Sequence, residues 1–396
     1  MPTLFLVIFV NVLGFGLIIP LLPFYIERLG GGPEIVTLLI SMYALIQFAL
    51  APWIGRLSDR YGRRPILAWT TAGTIVAHVV LAFADSLWLV ILSRALGGVM
   101  AGNLGVAFAY AADVTTQQDR AKQIGRLTTG FTLGFTFGPA LGGLMAGTDM
   151  ATANFLVPAL AAAGLSAVAW LCVLLFLPES LKPEDRMRHV PNARGPTIIR
   201  QLTMMFRVEI LALLAIVSFL LFMAWSAMLS IFALWANRML EQGPTEIGFM
   251  FMWMGLVGAA TQFTLIGPMT QKYGDLAVIL LTSICMLAGM VLLALTSTLW
   301  MALLALTLLS VSHSIFTPVS TNLVTQNAAP KERGALLGIF QSVGSLGRVV
   351  GPAFSGFAFA ALGYASPFHI GALVMVPCCI LVFIAMRRNA MKTASV

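Results

Sequence analysis

Apolar runs of about 18 to 25 residues, each long enough to cross a bilayer core of about 30 Å as a helix, recur along the whole of this 396-residue chain. Twelve are expected, at about 4–26, 35–54, 66–84, 87–111, 123–147, 154–177, 209–236, 246–268, 276–296, 299–322, 334–360 and 365–386. In hydrocarbon every backbone N–H and C=O must find its partner within the structure, which leaves such runs only the helix. Hydrophobic residues make up 59% of the chain and charged ones 10%, against roughly 25% charged in a soluble domain. A soluble fold is excluded. The expected fold is an all-α integral membrane bundle of twelve transmembrane helices. Six lie in residues 1–177 and six in 209–396, with a polar linker at 178–208.

The chain also repeats itself. The spacing Gly55-x3-Asp59-x2-Gly62 returns as Gly267-x3-Gln271-x2-Gly274, 212 residues later. Asp119-Arg120 returns as Glu332-Arg333, and Gly134-x3-Gly138-Pro139 as Gly347-x3-Gly351-Pro352, both offset by 213. Three landmarks at one offset describe a duplicated membrane protein, an organisation that places a transport path between two halves.

The net charge of +8 follows topology. Arg28 and Arg238 fall in odd-numbered loops, Arg94 and Arg348 lie within spans, and the remaining Lys and Arg crowd the even-numbered loops and the C-terminal tail. Under the positive-inside rule both termini and the linker are then cytoplasmic, and nucleic acid is not an expected partner. The linker holds Pro178, Pro183, Pro191 and Pro196 among basic residues, with a short surface helix expected near 197–206. The first span begins within a few residues of Met1 without a basic leader, so a removable signal peptide is not expected. Cys172, Cys285, Cys378 and Cys379 lack metal-ligand spacing and read as small core residues. No metal and no cofactor is expected.

Several of these peptides carry a family likeness. Residues 55–65 resemble the loop 2–3 signature of the major facilitator superfamily, and Ile91-Leu-Ser-Arg94-Ala-Leu-Gly-Gly98 its fourth-helix Arg motif. Gly138-Pro139-x2-Gly142-Gly143 resembles the fifth-helix motif of its antiporter branches. Asn11-x2-Gly14-x-Gly16 through Pro20 and Pro23 is similar to the first helix of drug/proton antiporters, tetracycline exporters especially. The resemblance implies that Asp59, Arg63 and Asp113, with Gly55, Arg60, Gly62 and Arg64, form a gate on the cytoplasmic side. It also implies that Gly134, Gly138, Pro139, Gly142, Gly347, Gly351 and Pro352 pack one half against the other. The repeat has Gln271 in place of the acid and Asp275 in place of the Arg, so a latch there is asymmetric.

One departure weighs on mechanism. All fifteen acids fall in loops or at helix ends, where tetracycline exporters carry acids in helix 1, near Asn11 here, and in helix 3, near Ala77. Buried carboxylates are the usual proton carriers. The titratable groups left within spans include His78 and His313. Charged or polar groups that lipid disfavours mark the expected substrate or proton site: Asn11, Gln47, Arg94, Asn103, Gln262, His313, Asn322, Gln341 and Arg348, with Phe131, Phe135 and Trp225 among the aromatics. The chain therefore reads as a secondary transporter, not an enzyme. It is expected to export a small amphiphilic or drug-like molecule by alternating access in exchange for protons, as a monomer among the lipids of a bacterial inner membrane. The rival reading is a carrier of an organic anion or metabolite held by Arg94 and Arg348, without obligatory proton coupling.

Overall fold

A computed structural model describes residues 2–116, 119–149, 152–181, 198–329 and 332–394. Among these the chain is helical, without a strand. The helices are α1 (Pro2–Ile18), α2 (Leu22–Arg28), α3 (Pro33–Tyr61), α4 (Arg63–Ala82), α5 (Leu87–Met100), α6 (Asn103–Asp113), α7 (Arg120–Ala146) and α8 (Leu156–Phe176). After the linker come α9 (Ile198–Arg207), α10 (Glu209–Leu240), α11 (Pro244–Thr264), α12 (Ile266–Tyr273), α13 (Asp275–Leu295), α14 (Leu299–Asn327), α15 (Arg333–Leu362) and α16 (Ser366–Ala394).

Eleven stretches among the described residues are long and apolar enough to cross a membrane. The first combines α1 and α2, interrupted beside Pro20, and the fourth combines α5 and α6, interrupted at Ala101 and Gly102. The fifth expected span is the exception. It forms the long helix α7 but is not among the eleven. Glycine and threonine (Thr128, Thr129, Gly130, Thr132, Gly134, Thr136, Gly138) stand there in place of larger apolar residues. The helix gives up hydropathy for close packing.

The chain divides into two compact units, Met1–Ala193 with Glu241–Gly255, and Arg194–Leu240 with Leu256–Val396. In the first, α1 packs on α7 and α8, and α4 on α5 and α8. In the second, α10 packs on α15 and α16, and α13 on α14 and α16. Each partner pair in one unit recurs in the other at the offset read from the sequence.

The α1–α7 seam is close because glycine permits it. A methyl group at Gly134 would lie 2.8 Å from Phe9 O, and one at Gly138 would lie 2.7 Å from Gly16 Cα. At Gly142 it would collide with Leu17 O. The α10–α15 seam repeats this: Gly347 faces Phe219 O and Gly351 faces Met223 O. Hydroxyls add to it, with Ser226 Oγ donating to Gly347 O at 3.3 Å and Ser230 Oγ lying 3.0 Å from Ser355 Oγ. The nearest neighbours of Gly134, Gly138, Gly142, Gly347 and Gly351 thus come from α1 and α10 of their own units. Helix-to-helix apposition without side chains is worth most where backbones touch, and α1 and α10, the first membrane-long helix of each unit, are the ones running alongside. Gly143 and Pro139 do meet a later element. Thr245 Oγ1 donates to Gly143 O at 3.1 Å, and Gly248 abuts Pro139 O, both within the first unit.

Of the linker, residues 182–197 lie outside the described residues. The surface helix expected near 197–206 is α9, which packs on α10 and α15 with Met205 buried and Phe206 half exposed.

Candidate functional site

Two groups of side chains bring sequence-flagged residues together, one in each unit. The first is built on the turn between α3 and α4. Gly62 there adopts φ +108°, a conformation side-chain-bearing residues rarely enter, and its N–H closes α3 on Ser58 O at 3.1 Å. The turn delivers Arg63 inward, where the residue is 6% exposed. Its Nη1 meets Asp59 Oδ1 at 2.6 Å, and its Nε donates to Asp113 Oδ2 at 3.0 Å. Nη1 also donates to Ser58 Oγ at 2.6 Å. One planar guanidinium thus joins the end of α3 to the end of α6, which a point charge could not do with the same geometry.

Glu179, which the sequence reading did not single out, completes this group. Its Oε1 accepts from Arg63 N at 2.9 Å and its Oε2 from Arg64 N at 3.3 Å. A carboxylate on the free N–H groups of a helix N-terminus is favoured by both hydrogen bonding and the helix dipole. Asp59 lies on α3 one turn before Arg63 and serves as its ion-pair partner. Arg64 reaches Leu174 O at 2.6 Å, Ser180 Oγ donates to Asp113 Oδ2 at 3.2 Å, and Tyr110 OH donates to Pro178 O at 2.9 Å. The ends of α3, α4, α6 and α8 are therefore tied at one cluster. Arg60 stays at the surface, over the ring of Tyr61 at 5.5 Å. Gly55 has open space around it, and its carbonyl accepts from Ser58 Oγ at 2.7 Å.

The second unit holds the offset copy with the charges changed. Asp275 stands where Arg63 does, just after Gly274 at φ +79°. Asn322 Nδ2 donates to Asp275 Oδ2 at 3.1 Å, with Gln326 Nε2 at 3.5 Å from the same oxygen. This corrects the placement of Asn322, expected in the substrate site. It is exposed and bonds Asp275 from the last two turns of α14, which ends at Asn327.

The second group is the aromatic one within the helices of this unit. His313 on α14 stacks on Trp225 of α10, with centroids 4.2 Å apart and planes 15° apart. Phe222, one turn before Trp225, meets the same imidazole edge-on at 5.6 Å and Phe316 at 6.2 Å. Arg348, midway along α15, sets its Cζ 4.3 Å from the Phe222 centroid. Phe222 and Trp225 are buried, His313 is half-buried, and Arg348 is exposed with no acid beside it among the described residues. Gln341 sits two turns before Arg348 on the same face of α15. A guanidinium at mid-span costs roughly 2.5 to 3.5 kcal/mol by insertion scales. A cation–π contact returns about 0.5 to 1 at an exposed guanidinium. The ring alone does not settle that charge, so the remaining face of the guanidinium needs water or an anion.

The other expected residues are dispersed. Arg94 is 4% exposed, gives Nη2 to Ser93 Oγ at 3.2 Å and leaves Nε without a hydrogen-bond partner. His78 packs between α4 and α8, with Nδ1 3.2 Å from Ser166 Oγ. Gln47 points its Nε2 at Ala101 O, 3.4 Å away, beside the break that Asn103 follows. Phe131 and Phe135 stack on each other at 6.3 Å along α7. Asn11 and Gln262 are half-buried on α1 and α11. Of the twelve residues named for the substrate or proton site, Trp225, His313 and Arg348 converge. Phe222 was the member missed, and its spacing of three from Trp225 on one helix face was the available signal.

A duplicated helical membrane bundle with a charge-tied loop cluster and a charged, aromatic mid-span group is a membrane transporter's architecture, not that of an enzyme. The family model described as Major Facilitator Superfamily matches residues 4–242 and again 214–395. The chain belongs to that superfamily. It is 28% identical to the class C tetracycline resistance protein of Escherichia coli over 354 residues, covering 86% of this chain and 85% of that one. It is 27% identical to multidrug resistance protein 2 of Bacillus subtilis (strain 168), covering 93% and 90%. Its fold matches the human organic anion transporter MFSD10 with a TM-score of 0.72 at 24% identity, covering 96% and 98%. It matches the nucleoside transporter NupG with 0.76 at 15% identity, covering 97% and 98%.

Proposed function

We propose that this protein is a secondary active exporter of small amphiphilic molecules. It works by alternating access between residues 1–177 and 209–396, in exchange for protons, as a monomer in a bacterial inner membrane. The observation that carries this reading is the convergence of Phe222, Trp225, His313 and Arg348. Broad apolar faces with one charged edge suit a ligand that is itself part apolar and part polar. The tetracycline and multidrug relatives support the export direction. An imidazole nitrogen can accept and release a proton, and His313 is the one such ring in the group, so it is assigned the proton that a carboxylate carries elsewhere. The Arg63 cluster is assigned the cytoplasmic gate, held together while that side is shut and parting as the unit moves.

The test is efflux of tetracycline and of a fluorescent amphiphile from cells expressing the protein, with and without a protonophore, beside Asp59→Asn. Efflux above vector-only cells that both the protonophore and the substitution abolish is the expected result. Efflux equal to that of vector-only cells, with the protein present in the membrane, refutes the reading.

A further inference from the structure

We infer that the ligand of the second unit carries an anionic group on a flat apolar body, with Arg348 binding the anion. This rests on the transporter reading and narrows its substrate class. Arg348 lies in the interior of α15, its guanidinium held over Phe222 at 4.3 Å, exposed and without a carboxylate partner among the described residues. One face of that planar fork is therefore taken by a ring, while its N–H edge is free. A carboxylate or sulfonate accepts two parallel bonds from such an edge.

The surroundings fit the rest of such a molecule. Trp225 and His313 form a stacked pair, and Phe222 turns its edge to the same imidazole. Flat rings stack on flat rings at offset. Ser218 Oγ, buried and without a hydrogen-bond partner, lies where a methyl at Gly344 would come within 3.0 Å of it. It sits one turn before Phe222 on α10. Among the described residues no acid is paired with this group to receive a cationic drug. Aromatic faces can hold a cation, but the charge already on them is that of Arg348, which repels one and attracts an anion.

The test uses the purified full-length protein in lipid nanodiscs and three probes of one shape: naphthalene carboxylate, its neutral carboxamide and the aminomethyl cation. Binding is read by calorimetry and by tryptophan quenching, with Trp225→Phe identifying the signal from that ring. The carboxylate should bind about tenfold or more tightly than the carboxamide, the strength of a charge-assisted bond, and the cation more weakly than either. Arg348→Gln should erase that preference while leaving carboxamide binding in place, which also shows that the variant is folded. Arg348→Lys should keep part of it. Equal binding of carboxylate and carboxamide by the unaltered protein overturns the assignment, as does a preference that survives Arg348→Gln. The outcome is separable from that of the efflux test. Anion-selective binding without any efflux sinks the exporter and leaves this site standing, whereas efflux of cations undiminished in Arg348→Gln does the reverse.

Discussion

Replacing Gly138 by alanine puts a methyl group 2.7 Å from Gly16 Cα and 2.8 Å from Leu13 O. Both are backbone atoms, so no side chain can rotate away. Carbon–carbon contact is comfortable at 3.5 to 4.0 Å, so α1 must retreat by about 1 Å along a seam that is close over four turns. Overpacking of this kind costs about 1 to 3 kcal/mol, against which the better helix propensity of alanine returns up to about 1. Gly125, on the same helix, has nothing within 4 Å of the corresponding position. There alanine should give only the propensity gain. The two substitutions should thus differ by about 1 to 3 kcal/mol and fall on opposite sides of the unaltered protein. Gly130→Ala, facing the movable ring of Phe5 at 3.1 Å and one backbone atom, Phe5 O, at 3.3 Å, should lie between them. Thermal unfolding in one detergent, followed by tryptophan fluorescence, ranks the series. A Gly138→Ala protein as stable as Gly125→Ala would refute the claim that these glycines are held by the closeness of α1.

Glu179→Ala should leave the N–H groups of Arg63 and Arg64 uncapped, at about 1 to 2 kcal/mol. Hydrogen exchange at those two amides should then quicken by about 5- to 30-fold, and unchanged exchange would contradict the cap. Arg63→Lys should lose one of the two carboxylate bonds and lower stability by about 1 to 3 kcal/mol. A double-mutant cycle with Asp113→Asn should show coupling above about 0.5 kcal/mol, and strict additivity would dissolve the cluster into independent contacts. Asn322→Ala should leave the apparent substrate affinity in transport unchanged and cost under about 1.5 kcal/mol, whereas a tenfold rise in KM would return Asn322 to the substrate path. His78→Asn should leave the pH profile of transport where it was, since His78 faces Ser166. A displaced profile would make it a proton carrier.

What could be read before folding was whatever repeats or whatever lipid penalises. The landmark offsets anticipated that α7 and α15 would be equivalent helices, because Gly134-x3-Gly138-Pro139 returns as Gly347-x3-Gly351-Pro352. The cost of charge in hydrocarbon flagged Arg348 and His313, and both lie in the aromatic group. Partners were a different matter. Glu179 is 116 residues from Arg63 in the chain, and no spacing rule connects the end of one span to the start of another three helices away. The destination of the glycine faces was equally hidden, since periodicity says which side of α7 is small and not which helix comes to lie on it. Asn322 was misplaced for a like reason. Asn322 is the last residue of a span read as 299–322, and no spacing rule pairs it with Asp275, 47 residues earlier in the chain.

The loop clusters also bear on how the two copies of an ancestral gene drifted apart. In the first, Arg63 keeps company with Asp59 and Asp113, while the second has Asp275 with Gln271 and Gln326 at the matching places. A base stands among acids in one copy and an acid among amides in the other. A lone reversal at position 275 would have set one carboxylate among two others, and a lone loss of the acids would have stranded a guanidinium. The amides are what let the reversed residue persist, since Asn322 and Gln326 offer it donors in place of charge. Inheritance here acts on the group and not on its members. Grafting residues 55–65 over their later counterpart would place Arg63's twin beside Gln326 with no acid from that helix to receive it.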